Sequence, residues 1–185
     1  MKNLEIKFFP DEKGINEFIN IIKTFGQLKL IGALILSSII KDGINNNDLI
    51  NNWIEESINK NKIKYELIFK LSKNGTKSED FHKFCDDKGP TLTLVKTTKN
   101  KIFGEFTPLN WSSQGYSIKD LSDHTFIFSL NLKKKYNMIK KDGIGIYCAK
   151  EDGPNFGGAD FRLNENMKTD DIFANNSCNF LRDNN

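Results

Sequence analysis

The sequence has few arginines, few cysteines and no long uninterrupted apolar run. Arg162 and Arg182 are the only arginines among 27 basic residues, and the formal net charge is +3. Arginine is the side chain best suited to base readout and to gripping phosphates, because its planar guanidinium donates paired hydrogen bonds. We therefore expect no nucleic-acid binding.

The three cysteines, Cys85, Cys148 and Cys178, are far apart and form no Cys-x-x-Cys pair. This spacing offers neither a zinc knuckle nor a redox pair, and free thiols fit the reducing cytosol. The most apolar stretch, residues 28–40, contains Lys29 and is shorter than the roughly 20 residues that a membrane span needs. The N-terminus lacks the apolar centre of a signal peptide. A cytoplasmic protein without membrane insertion is expected.

The chain has 185 residues, of which 38% are hydrophobic and 15 are Phe. This length and composition predict a globular core that needs no disulfide or metal. Residues 1–38 are interpreted as an N-terminal extension with a helix at about 12–25. A second, amphipathic helix is predicted from about Asp48 to Asn59, because apolar residues recur at helical spacing. Its apolar face comprises Leu49, Ile50, Trp53, Ile54 and Ile58.

Alternating apolar and polar residues over 63–71 predict a half-buried strand. The sequence from Thr76 to Glu79 has the S/T-x-x-E form of a capping box. It predicts the start of a short helix that ends at Gly89-Pro90, with a left-handed Gly89 at the C′ position. Asp86 is expected to accept hydrogen bonds from the amides of the turn.

After Pro90 the pattern is almost entirely β, with predicted strands at 91–97, 101–107, 125–131, 143–149 and 158–163. Strands at this spacing without intervening helices indicate an α+β, mainly β protein, an antiparallel sandwich with a few short helices. We expect its interior to include Leu92, Leu94, Phe103, Phe126, Phe128 and Ile146.

Several blocks in order along the chain resemble the TLDc family of eukaryotic oxidation-resistance proteins. Trp53-Ile54 precedes YELIFKLS, and residues Phe81 to Thr93 read FHKFCDDKGPTLT. IFGEFTPLNWSS resembles the family's FGGxxxxxW strand and turn, TFIFSL its Phe-rich strand, and GPNFGGADFRL its Gly-rich strand. The resemblance covers about residues 39–185. The signature positions are Phe81, His82, Cys85, Asp86, Lys88, Gly89, Gly104, Trp111, Gly153, Phe156, Gly157 and Gly158.

The resemblance implies a twisted β-sandwich, a link to oxidative-stress resistance, and no agreed catalytic residue or cofactor. It also implies binding to cytosolic subunits of the vacuolar-type proton-pumping ATPase. The chain departs from the family at LSKNGT, where the usual charge pair is missing. It also ends before the family's usual last strand, so either the chain is truncated or residues 1–38 fill that position.

Other chemistries have weaker support in the sequence. His82, Cys85 and Asp86 have helical spacing that could present metal ligands, but nothing distant completes the set. The alternative is that Cys85 packs in the core while His82 and Asp86 hydrogen-bond to neighbouring loops. Cys85 could act as a redox thiol, although Asp86 and Asp87 beside it disfavour the thiolate. Asp80 with His82, or Asp123 with His124, could form an acid–base pair near Ser112 or Ser113, but no nucleophile motif accompanies them. The alternative to a non-enzymatic binding module is therefore a cysteine- or metal-dependent antioxidant enzyme.

Two further features of the sequence bear on ligands and partners. The GPNFGG segment does not follow the phosphate-loop pattern, so we interpret its glycines as turn residues. Candidate partner contacts are Trp111, although an aromatic in this turn more often closes the end of a sandwich, and Lys133, Lys134 and Lys135, which we interpret mainly as a solvated loop.

Overall fold

The computed structural model describes only part of the chain, and every structural statement below concerns that part. The described residues are 28–32, 47–58, 65–97, 101–139, 143–158, 160–163, 165, 167 and 172–173. The predicted helix at 12–25 lies outside them.

Three helices and ten strands lie within the described residues. The helices are α1 (Asn47–Ile58), α2 (Leu71–Asn74) and α3 (Ser78–Cys85). The strands of the first half are β1 (Leu28–Gly32), β2 (Thr91–Thr97), β3 (Ile102–Thr107), β4 (Tyr116–Lys119) and β5 (Phe126–Ser129). Those of the second half are β6 (Lys134–Asn137), β7 (Ile144–Cys148), β8 (Asn155–Phe156), β9 (Phe161–Leu163) and β10 (Ile172–Phe173).

The strands form two antiparallel sheets. Sheet A has the order β1-β2-β3-β5-β6, and sheet D has the order β10-β9-β8-β7-β4. The rings of Phe103 on β3 and Phe161 on β9 meet edge to face with centroids 5.7 Å apart, which joins the two sheets through their apolar faces. The predicted mainly β sandwich with a few short helices is confirmed. Among the described helices, none has the length and apolarity that a membrane crossing requires.

Sheet A is apolar on both faces, because each face has its own partner. Side chains alternate between the two faces of a strand. On one face Val95 and Phe103 join a cluster with Ile146 of sheet D. On the other face Leu94 and Phe128 join a cluster with Trp53 of α1. The described architecture therefore has three layers, α1 on sheet A on sheet D.

The expectation about the interior is confirmed, and the layering divides that interior into two clusters. All six predicted core residues are buried. Phe103 and Ile146 lie in the cluster between the sheets. The remaining four lie in the cluster beneath α1: Leu92, Leu94, Phe126 and Phe128. Successive side chains of β2 and β5 face opposite sides of sheet A, and these four lie on the side that faces α1.

Residues 65–70 differ from the predicted strand. They form neither a helix nor a strand, and the exposed fractions of Tyr65 and Leu67 are 37% and 41%. The next residues form α2, because the Asn74 side chain accepts a hydrogen bond from the Lys70 backbone N–H at 2.8 Å and closes a helical turn. A local side-chain bond of this kind competes with strand pairing.

Both ends of α3 are shifted from the prediction. The helix begins at Ser78, and the Asp80 carboxylate, not Glu79, accepts the backbone N–H of Lys77 at 3.1 Å. A Cβ on Gly75 would meet the Asp80 carboxylate at 2.0 Å, so glycine makes room for this cap. The helix ends at Cys85, before Gly89.

Leu28–Gly32, within the segment interpreted as an N-terminal extension, pairs with β2 along its whole length. The register runs from Leu28 opposite Thr97 to Gly32 opposite Thr93. A segment that precedes α1 therefore forms one edge of sheet A.

The cluster beneath α1 makes a stability prediction. Phe128 is 3% exposed, and its ring centroid lies 5.8 Å from that of Trp53. We expect Phe128→Ala to lower the free energy of unfolding by ~3–5 kcal/mol, as for other buried Phe truncations. Urea denaturation measures this, with Tyr116→Ala on the surface as the control, expected to change stability by about 0.5 kcal/mol or less. Equal effects of the two changes would contradict the layered packing.

Candidate functional site

Trp111 is the centre of the signature cluster and is fully buried. Its indole Nε1–H donates to Thr91 Oγ1 on β2 at 2.8 Å. Its ring meets Phe81 of α3 and Phe156 of β8 edge to face, with centroids 5.3 Å and 5.2 Å apart. The predicted role of Trp111 as a partner contact is therefore wrong, because its ring and its N–H are both used inside the protein.

His82 ties α3 to the loop after β7. Its Nε2 donates to the backbone oxygens of Ala149 and Asp152, each at 2.9 Å, and its Nδ1 lies 2.7 Å from Asp86 Oδ1. Both ring nitrogens are therefore engaged by oxygens inside the protein. The expectation that His82 hydrogen-bonds to neighbouring loops is confirmed.

Asp86 continues this chain of hydrogen bonds toward the surface. Its second oxygen, Oδ2, accepts the hydroxyl of the exposed Ser113 at 2.7 Å. Sequence reasoning placed turn amides against this carboxylate, whereas the partners are His82 and Ser113. The Asp86 carboxylate lies between the His82 ring and the Ser113 hydroxyl, so the Ser113 hydroxyl is bonded to the carboxylate and not to a nitrogen of His82. This arrangement does not match a nucleophile activated by a histidine.

The turn after α3 contains two residues with left-handed backbone conformations. Asp87 has φ 57° and Gly89 has φ 75°. Asp87 is the first left-handed residue beyond the helix, and its N–H donates to Trp111 O at 3.1 Å. Gly89 was predicted to be left-handed and is, but the C′ position of the helix belongs to Asp87. Lys88 between them is exposed.

Cys85 is 4% exposed, inside the cluster that also contains Phe81 and Trp111. Burial, reinforced by the Asp86 carboxylate and only partly offset by Lys88, raises the pKa of the Cys85 thiol to about 12. Burial likewise raises the pKa of Cys148. Sequence reasoning named the neighbouring charges as the cause, but burial has the larger effect. A reactive cysteine needs the opposite shift.

The Gly-rich segment forms a turn, as predicted. The turn connects two strands, whereas a single strand was expected over 158–163. Gly157 and Gly158 have φ 63° and 67° and connect β8 to β9. Gly153 is required for a different reason, since a Cβ there would lie 2.5 Å from the sulfur of Met167. On β3, a Cβ on Gly104 would lie 2.2 Å from the backbone oxygen of Thr93. These signature glycines serve backbone geometry and packing.

The lysine segment is not the solvated loop that was predicted. Lys133 is exposed in a turn, but Lys134 and Lys135 begin β6. Lys135 Nζ lies 3.0 Å from Glu56 on α1 and 5.3 Å from the centre of the Phe126 ring. Its ammonium is therefore engaged between α1 and sheet A, which leaves Lys133 as the exposed member of the three.

No group of three or more potential ligands within the described residues could hold a metal ion. Of the predicted acid–base residues, Asp80 caps α3 and His82 is paired with Asp86. Asp123 stands in a turn with φ 58°. The structure brings together the FHKFCDD helix and Trp111, and it does not assemble a nucleophile with a base.

Two buried acidic groups in loops, Asp120 and Asp152, were missed in the sequence. Asp120 accepts the N–H and hydroxyl of Thr125, each at 2.6 Å, and also bonds to Ser122. Burial opposes ionisation of Asp120, but these bonds outweigh it and lower its pKa. Asp152 accepts Asn155 Nδ2 at 2.8 Å and lies 3.8 Å from Arg162. Asp followed within five residues by Ser and Thr is the local signal that indicates the first of these loops.

The comparison with known families decides the identity. The profile of the TLDc domain matches residues 36–183, which is most of the chain. This chain belongs to the TLDc domain family. No curated protein matches it. The resemblance read from the sequence is thereby confirmed.

The buried thiols make a chemical prediction. In a Cys178→Ser chain, we expect Cys85 and Cys148 of the native TLDc domain to resist iodoacetamide at pH 7.5 and to react fully in urea. The physical reason is that burial removes access and raises the pKa of both thiols. Mass spectrometry of the labelled peptides gives the measurement. Rapid native labelling of Cys85, or a measured pKa below about 7, in the range of activated thiols, would show that the site is reactive.

Proposed function

We propose that this TLDc domain is a non-enzymatic, cytoplasmic protein-interaction module linked to oxidative-stress resistance. Its proposed partner is the cytosolic part of the vacuolar-type proton-pumping ATPase. Membership of the TLDc family is the observation that carries the proposal. The partner comes from what the resemblance to that family implies, and the local chemistry of the chain supports the non-enzymatic part.

The use of the signature side chains within the domain supports a binding role. His82 and Trp111 donate their ring hydrogens to neighbouring loops and strands, and the thiol of Cys85 is buried. An antioxidant enzyme would need an accessible thiolate or an open metal position. The pKa of Cys85, raised to about 12, weighs against the thiolate. Function is then expected at the surface of the domain.

The edge of sheet D at β4 is the surface that we propose for docking. β4 lies at the end of the sheet order and pairs with β7 on one side. Tyr116 at its start is 45% exposed, and Leu121 just after its end is 74% exposed, the largest value among the exposed large apolar side chains. A sheet edge flanked by apolar side chains can add a strand from a partner, with the side chains providing specificity.

Binding to a purified cytosolic sector of the proton pump tests this proposal. The wild-type domain should bind, and Leu121→Asp should weaken binding at least tenfold, about 1.4 kcal/mol. Leu67→Asp is the matched control, because Leu67 is also an exposed leucine, 41% exposed, but lies in the extended segment before α2. The control should bind like wild type.

Two results would contradict the proposal. Failure of the wild-type domain to bind would remove the proposed partner. Equal binding by the Leu121 and wild-type proteins would remove the proposed docking edge. Peroxide reduction by the purified domain at an enzymatic rate would instead favour the antioxidant enzyme.

A further inference from the structure

Glu105 is a fully enclosed carboxyl group in the middle of the sandwich. It lies on β3, the central strand of sheet A, and is 2% exposed. It pairs across the sheet with Thr93 on β2 and with Ile127 on β5, so the three side chains share one face. That face also carries Phe103, which contacts Phe161 of sheet D. Glu105 therefore points into the space between the sheets.

One oxygen of this carboxyl, Oε2, is buried without a hydrogen-bond partner. Buried charges in proteins are normally paired or fully hydrogen-bonded, because transfer of an unpaired carboxylate out of water is very unfavourable. A protonated carboxyl avoids most of that cost. Burial alone raises the pKa of Glu105 well above its ordinary value. The geometry and the direction of the shift thus agree.

The surroundings of Glu105 contain no compensating cation among the described residues that face the same space. Sheet A contributes hydroxyl and apolar side chains together with the phenol of Tyr136, and sheet D contributes the thiol of Cys148 among apolar side chains. Phenols and thiols are ordinarily uncharged near neutral pH. The inward-facing residues of the two sheets that the structure describes include Thr91, Thr93, Val95, Phe103, Thr107, Ile127, Ser129 and Tyr136, and then Ile118, Ile146, Cys148, Phe156, Phe161 and Leu163.

Among the described residues, charged groups approach this space beside the pair formed by Thr91 and Thr107. The Asp120 carboxylate accepts Thr125 Oγ1, which lies 3.1 Å from Thr107 Oγ1, the next inward residue along β3. Trp111 donates to Thr91, and its ring contacts Phe81, which contacts His82, the partner of Asp86. Asp120 and Asp86 are negative when ionised, so they do not favour a second negative charge at Glu105.

We propose that Glu105 couples closure of the sandwich to the uptake of one proton. The closed sandwich, which is the folded protein, holds the neutral carboxyl between its sheets, and the unfolded chain releases the proton to water. The ionised form favours entry of water between β3 and sheet D. Through Glu105, acidification therefore favours the closed form and alkalinisation disfavours it, independently of any partner.

The sign of this linkage follows from proton binding. Above the unfolded pKa of a glutamate, about 4.3, the closed protein binds a proton at Glu105 that the unfolded chain does not. The contribution of Glu105 to stability is then fully present below that pH, and it is lost as the pH rises to the pKa of Glu105 in the folded protein. One fully linked proton changes the folding equilibrium constant about tenfold per pH unit.

Urea unfolding of wild type, Glu105→Gln and Glu105→Met between pH 5 and pH 8.5 tests the coupling. The difference between wild type and either variant isolates the Glu105 contribution, since other titrating groups are shared. We expect the wild-type folding constant to fall relative to both variants as pH rises, by up to about tenfold per pH unit. Gln keeps the shape and Met the length, so either variant is sufficient if the other fails to fold. Glu79→Gln, an exposed carboxylate on α3, is the control and should follow wild type.

A direct titration provides the second measurement. The side-chain carbon of Glu105, observed by NMR in the folded wild-type protein, should report a protonated carboxyl at pH 6. Stability profiles of wild type and Glu105→Gln that remain parallel over the whole range would overturn the proposal. A Glu105 carboxyl that is ionised at pH 6 in the folded protein would overturn it as well.

Discussion

The hydrogen bond from the Trp111 indole to Thr91, together with the two rings that hold the indole, is the interaction on which the remaining structure depends. Phe81 reaches it from α3, and Phe156 reaches it from β8 in the opposite sheet. A buried tryptophan contributes a large apolar area, but its N–H must find a partner. Thr91 satisfies that requirement at the first residue of β2. Helix, sheet A and sheet D therefore meet at one side chain.

The signature helix keeps its position because of this meeting point. Asp86 and Trp111 form a parallel bridge just beyond the helix, and Asp87 donates to the Trp111 backbone oxygen. His82 then bonds the helix to the loop after β7, and the Ser113 hydroxyl donates a hydrogen bond to Asp86. Residues that look like a metal or acid–base site in the sequence thus form a closed set of internal hydrogen bonds. The outer surface of the domain remains available for a partner.

Alternation and helical spacing were sufficient to predict much of this fold. The amphipathic helix with Trp53 and the strand from Thr91 were found because their apolar residues recur at one period. Such a pattern specifies a buried face but not its partner. Residues 65–70 alternate as well as any strand, yet they pair with no described strand. For the same reason the pattern marked Phe126 and Phe128 as interior residues but did not show that they pack under α1.

Short polar strands and long-range hydrogen bonds were beyond prediction, because neither has a local pattern. β6 begins with Lys134 and Lys135, which look like a solvated loop until Glu56 and Phe126 are placed beside Lys135. Hydrogen exchange at the Trp111 indole N–H tests the central role of this residue most directly. We predict exchange only through global unfolding, with a free energy equal to that from urea denaturation. Exchange of this N–H through local opening, well below the global free energy, would contradict the account.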